Sequence, residues 1–133
     1  MNCPYCNKKA VVKDSSVIYY GRSFGLVWIC PDYPKCDSYV GIHKNSKRMM
    51  PLGRMANREL RELKKEVHAV FDTLWKTKQM SRNLAYTKLR EGMKMDKGEC
   101  HIGKFDNVTC RRAIEVATEI IKQIQSEHVE QSI

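Results

Sequence analysis

Two pairs of cysteines constrain the N-terminal third of this 133-residue chain: Cys3-x2-Cys6 and, after 23 intervening residues, Cys30-x5-Cys36. A thiolate is a soft anionic ligand, and zinc takes four of them at the corners of a tetrahedron. The tight turn Cys3-Pro4-Tyr5-Cys6 aims two sulfurs to one side. A second knuckle, Cys30-Pro31-Asp32-Tyr33-Pro34-Lys35-Cys36, supplies two more once a hairpin brings it alongside, and the intervening length suits two short strands and a turn. The spacing therefore predicts one structural zinc ion held by Cys3, Cys6, Cys30 and Cys36, in a closed site with no open position for catalysis. Six cysteines in a short chain also admit a disulfide framework. Clustering argues for metal ligation instead, and Met1-Asn2 leads straight into Cys3 without a charged-then-apolar leader. A cytoplasmic location is the expectation.

Charge sharpens the picture. Lys and Arg number 24 against 15 Asp and Glu, a net charge of +9. Residues 1–54 hold nine basic and three acidic side chains, whereas 55–133 hold fifteen and twelve. The positive field is thus concentrated on the cysteine-bearing segment and favours polyanionic partners. No run approaches the roughly 20 apolar residues of a membrane helix, so no membrane partner is expected. An apolar fraction of 42% is enough for a modest core.

The pattern predicts an α+β protein: a small four-cysteine zinc ribbon of short antiparallel strands, followed by three helices. Strands are expected at 9–13, 16–20, 26–30 and 38–42, with Asp14-Ser15 and 21–25 as turns. The ribbon spans 1–43. A basic connector with Pro51 and Gly53 covers 44–56 and is the expected domain boundary. A three-helix domain covers 57–127, and 128–133 is expected to fray. Its first helix follows Asn57 as N-cap, with Leu60, Leu63, Val67, Val70, Phe71 and Leu74 recurring at three- and four-residue spacing. Ser81 caps a second helix that ends near Gly92, and Asp106 caps a third.

Aromatic and basic side chains interleave through the ribbon and its connector. Tyr19, Phe24 and Tyr33 offer stacking surfaces, and Arg22, Lys35, Lys44, Lys47, Arg48 and Arg54 offer phosphate contacts. Two readings are open: some of the rings form the ribbon's small core, and the basic connector is a solvated segment; or both meet nucleic acid. Strand alternation would place Tyr19 and Tyr20 on opposite faces. His68, Cys100, His101 and Cys110 have the atoms of a second metal site. Adjacent Cys100 and His101 diverge, however, so packing and loop-ordering roles stand beside ligation. The loop from Met93 to Phe105 is longer than most helix connections and carries Lys94, Lys97 and Lys104 with Cys100 and His101. No carboxylate cluster, phosphate-cradling glycine loop or nucleophile triad is present, so no enzymatic activity and no small-molecule substrate are expected.

The knuckle-hairpin-knuckle order, with Tyr33-Pro34 inside the second knuckle, resembles the zinc ribbons appended to type IA DNA topoisomerases. That resemblance covers residues 3–41 and implies binding to single-stranded DNA. The remainder resembles a zinc-finger-containing domain family of phages and prophages. The words are His68-x2-Phe71-Asp72-x-Leu74-Trp75, Ala85-Tyr86-x2-Leu89 and Cys100-His101-Ile102-Gly103-x-Phe105-Asp106-x3-Cys110. This second resemblance implies the architecture and a phage origin. The expectation is a non-enzymatic DNA-binding protein, with docking to a host protein as the alternative; five of the seven methionines lie between Met49 and Met93, and such surfaces adapt to partners.

Overall fold

The computed structural model describes residues 1–77 and 80–131. The chain forms two compact units, Met1–Arg61 and Glu62–Ile133.

The first unit is built on a three-stranded antiparallel sheet in the order β1 (Val11–Asp14), β2 (Leu26–Ile29), β3 (Tyr39–Gly41). Val12 faces Trp28 on β2, and Trp28 in turn faces Val40 on β3. Alternation along β2 buries Val27 and Ile29. Beneath the sheet, Ala10 and Met55 pack with Cys3 and Cys30, and Trp28, Cys36 and Val40 close over them.

The strand expected at 16–20 does not form. Ser15–Val17 makes a 3-10 turn, because polar side chains capture the backbone donors that a strand would need. The Asp14 carboxylate accepts from the Ser16 N–H and the Ser23 hydroxyl, both at 2.9 Å. The buried Ser15 hydroxyl accepts from the Phe24 N–H at 2.7 Å. Gly25 sits at φ +106°, a left-handed conformation that admits glycine freely.

The segment expected as a connector, 44–56, belongs to the first unit. It returns along β3: Leu52 N–H donates to the Gly41 carbonyl, His43 N–H to Met50, and Tyr39 and Ala56 exchange both backbone bonds. These pairs satisfy backbone groups that β3 would otherwise leave open as a sheet edge.

The second unit is helical. Helix α1 (Arg58–Lys76) starts in the first unit, capped by the Asn57 side chain, which accepts from the Leu60 N–H at 3.0 Å. Helix α2 (Arg82–Met93) is capped by Ser81, whose hydroxyl accepts from the Leu84 N–H. Helix α3 (Asn107–Gln131) begins where Asp106 accepts from the Thr109 N–H. All three caps stand where Asn57, Ser81 and Asp106 were expected to start the helices. The tail expected to fray, 128–133, is helical in its backbone as far as Gln131, and 132–133 lie outside the described residues. Val67, Phe71, Leu74, Ala85, Leu89, Phe105, Cys110 and Ala113 are all buried in this unit. The Phe71 and Tyr86 rings pack 4.5 Å apart. The architecture is the expected α+β class, a cysteine-bearing antiparallel sheet followed by three helices.

Candidate metal centre

Each knuckle is a backbone device. In the first, the Asn7 N–H donates to the Cys3 carbonyl at 2.9 Å and the Cys3 N–H to the Lys8 carbonyl at 2.8 Å, with Asn7 at φ 62°. In the second, Tyr33 N–H donates to Cys30 and Cys36 N–H to Asp32. Cys30 follows β2 directly and Cys36 lies just ahead of β3, so the β2–β3 pairing sets the second knuckle. Lys8 and Asp32 join the knuckles by an exposed ion pair.

The four sulfurs converge. Cys6 and Cys30 Sγ lie 3.4 Å apart, Cys3 and Cys36 Sγ 3.6 Å apart, and all four fall within 4.8 Å of one another. A tetrahedron with zinc–sulfur bonds of 2.3 Å has edges of about 3.8 Å. The two closest pairs lie within about 0.4 Å of that value and no pair exceeds 4.8 Å, so the donor set fits one zinc ion with no position left over. Cys3 and Cys30 are buried, Cys36 is half-buried and Cys6 is exposed.

Burial pushes the Cys30 thiol up to about 12 and raises Cys36 as well. Burial also acts upward on Cys3, but hydrogen bonds from the Tyr5 and Cys6 backbone, together with the nearby Ser38 hydroxyl, bring it down to about 7. The groups around Cys3 thus favour its thiolate more than burial disfavours it. Zinc at this centre would be held by Cys3, Cys6, Cys30 and Cys36 as thiolates, which would couple the fold of this unit to the metal.

Ser38 is a ligand-supporting residue that the sequence did not single out. It is 0% exposed, and its hydroxyl has no partner in full hydrogen-bond geometry among the described residues. Cys3 lies close enough for that hydroxyl to favour its thiolate. Deep burial beside a sulfur that becomes anionic explains an otherwise orphaned donor. Its only sequence signal was its position two residues after Cys36.

Around this centre the other expected residues separate into groups. Tyr19, Arg22, Phe24, Lys35, Lys44, Lys47, Arg48 and Arg54 are all exposed. Tyr19 and Phe24 pair edge-to-face with ring centroids 5.1 Å apart. Phe24 and Lys44 meet at a groove of about 560 Å³, which Leu26, Ile42, His43 and Met49 also line. Tyr33 is half-buried and packs on Tyr39 at 6.3 Å. Tyr39 in turn lies under the Arg61 guanidinium, which also holds the Asp37 carboxylate at 3.1 Å. Trp28 supplies core, and its ring N–H donates to the Met49 carbonyl at 2.8 Å. Tyr20 does not alternate with Tyr19 across a strand; it is fully exposed on the turn.

His68, Cys100, His101 and Cys110 do not gather as ligands. Among the described residues, the one set of three or more His, Cys, Asp or Glu side chains converging on a common point is the N-terminal cluster of four cysteines. Cys110 is fully buried in α3 and Cys100 is buried within the loop that follows α2, and burial raises both thiols. Both sulfurs pack as small hydrophobes, the packing role left open by the sequence. His68 is exposed, its Nδ1 2.9 Å from the Lys64 carbonyl one turn earlier.

No helix among the described residues is long and apolar enough to cross a membrane. No curated protein and no solved structure matches the chain. A family model described as a zinc-finger-containing domain matches residues 1–120, covering the four-cysteine centre and nearly all of the helical unit. With that match over most of its length and four sulfurs placed for one zinc ion, the chain belongs to the zinc-finger-containing domain family.

Proposed function

We propose that this is a non-enzymatic, phage- or prophage-encoded protein that binds single-stranded DNA through the exposed aromatic and basic surface of its zinc ribbon. The exposure of Phe24 carries the proposal. Its ring is 72% exposed although the same unit buries Ile29, Val27 and Met55. Tyr19 holds that ring edge-on, and Lys44 lines the groove it borders. A flat apolar face beside a cation is what a stacked base and its adjoining phosphate require. Arg22, Lys47 and Arg48 add exposed charge on the same unit, where nine basic side chains stand against three acidic ones over 1–54. The zinc centre serves this surface structurally, by tying together the knuckles and strands that present it.

Fluorescence anisotropy with labelled single-stranded DNA, duplex DNA and RNA at several salt concentrations tests this. Single-stranded DNA is expected to bind tightest, with Phe24→Ala weakening it about tenfold, the worth of one stacked base. Neutralising Lys47 and Arg48 together should reduce the log–log salt slope by about 1.4, at roughly 0.7 per single-strand phosphate. Absence of binding to all three at low salt overturns the proposal.

Exposed Met50 and Leu52 support a second reading, docking to a host protein. Such a complex would survive nuclease treatment and moderate salt, and the charge-neutral Met50→Ser would weaken it while leaving DNA affinity unchanged.

A further inference from the structure

We propose that the helical unit carries a binding pocket for the phosphate monoester of a nucleotide, on the face of α2 that bears Arg82, Tyr86 and Arg90. These three residues recur every four positions and so form one stripe along the helix. Opposite them, Lys97, Cys100 and His101 come from the segment that follows α2, and together they enclose a cavity of about 490 Å³.

The chemistry of the lining selects the ligand. Ligand cavities of this size are lined mainly by apolar side chains. This one is lined by two guanidinium groups, an ammonium and an imidazole, with no carboxylate. None of Arg82, Arg90, Lys97 or His101 takes part in an ion pair among the described residues. Neither acid of the facing segment lines the cavity, and the Asp96 carboxylate accepts from the Glu99 N–H at 2.8 Å. Cys100 is buried, and burial raises its thiol, so it adds no negative charge to the wall. Like charges gathered in one concavity repel, and the partner that relieves them is a compact, multivalent anion. A phosphate monoester carries about two negative charges near pH 7 and offers three oxygens, matched by forked guanidinium donors.

The volume exceeds what one phosphate group fills, and the rest of the lining points to a nucleoside. The Arg82 guanidinium lies 5.0 Å from the centre of the Tyr86 ring, and that ring is backed by Phe71. The Phe71 ring is tilted 55° to that of Tyr86, and tyrosine rings and guanidinium planes are the groups on which bases stack. Asn83 and Thr87, each one position on from Arg82 and Tyr86 in the helix, also line the cavity and provide the amide and hydroxyl groups that sugar and base edges need. The pocket lies wholly within the second unit, so it stands or falls independently of DNA binding by the ribbon.

The test uses the full-length, zinc-loaded protein, 15N-labelled and followed by NMR. It is titrated with nucleoside monophosphates, the parent nucleosides, inorganic phosphate, and a short oligonucleotide with or without a 5′-phosphate. A nucleoside monophosphate is expected to saturate the protein and to shift the amides of Thr87, Arg90 and 97–101. Arg90→Gln and Lys97→Gln should each weaken it about tenfold or more. Lys97 is exposed, so its substitution leaves the core intact even if the Arg90 change does not. Competition by the 5′-phosphorylated oligonucleotide alone assigns the site to strand ends; failure of both oligonucleotides to compete assigns it to free nucleotide. Either result upholds a nucleotide phosphate site. Nucleosides binding as tightly as their monophosphates, inorganic phosphate binding as tightly as either, or no saturation by any probe overturns the proposal. Full affinity in a folded Lys97→Gln protein does so as well.

Discussion

A buried hydroxyl without a partner costs about 1–3 kcal/mol, and Ser38 is such a group unless the neighbouring sulfur is anionic. The lowering of Cys3 to about 7, against the upward pull of burial, shows that the protein meets this ligand part of the way to its metal-binding form. Ser38→Ala removes the side-chain donor and leaves the Tyr5 and Cys6 backbone contacts in place. We expect zinc affinity to fall about tenfold, as is typical when a partner supporting a ligand is lost, with the sheet retained. Competition with a chromogenic chelator measures it. Unchanged affinity, or a gain in thermal stability without loss of zinc, would reduce Ser38 to a packing residue.

Among the elements, α2 is held closest to its neighbour at Gly92. A Cβ placed there would lie 2.5 Å from Val116 Cγ1 on α3, well inside the 3.5–4.0 Å of ordinary carbon contacts. Valine is stiff at χ1 in a helix, so it has little room to turn away. Replacing glycine by alanine inside a helix gains about 1 kcal/mol of intrinsic propensity, whereas overpacking costs about 1–3 kcal/mol. Gly92→Ala is therefore expected to be destabilising on balance, and Gly92→Ala with Val116→Ala to recover part of the loss. Urea unfolding of the two variants decides the matter: a single variant more stable than the parent would show that the helices can part freely. The helix ends one residue beyond Gly92, near where the sequence placed its end, with Lys94 taking the left-handed cap position.

For the whole molecule, the two units differ in what holds them. The first packs Ala10 and Met55 directly on Cys3 and Cys30, so its core contains its metal ligands. The second buries Phe71, Leu89, Phe105 and Ala117 without any metal cluster among the described residues. Chelation of zinc, or Cys30→Ser, is expected to expose the amides of β1, β2 and β3 to hydrogen exchange while α2 and α3 stay protected. Simultaneous loss of protection in all five elements would show a single cooperative fold instead. What was legible in the sequence was what local chemistry specifies: four thiols at knuckle spacing, the Asn57, Ser81 and Asp106 caps, and the apolar periodicities of three helices. Residues 16–20 read wrongly as a strand, because their β-branched and aromatic side chains outweighed Asp14, Ser15 and Ser23, whose side chains take the backbone donors, whereas 21–25 read correctly as a turn. Segment 44–56 read as a linker because its pairing with β3 is non-local and leaves no periodic trace. The Ser38 hydroxyl and the basic pocket were equally hidden. The Arg82, Tyr86 and Arg90 stripe can be found by spacing alone, but only the folded loop brings Lys97 and His101 to face it. The sequence by itself determined the ligands, the caps and the helices, since these depend on neighbours a few residues apart. Tertiary structure alone decided which cations share a cavity, which rings stay in solvent and which hydroxyl meets a sulfur, since each depends on contacts between residues distant in the chain.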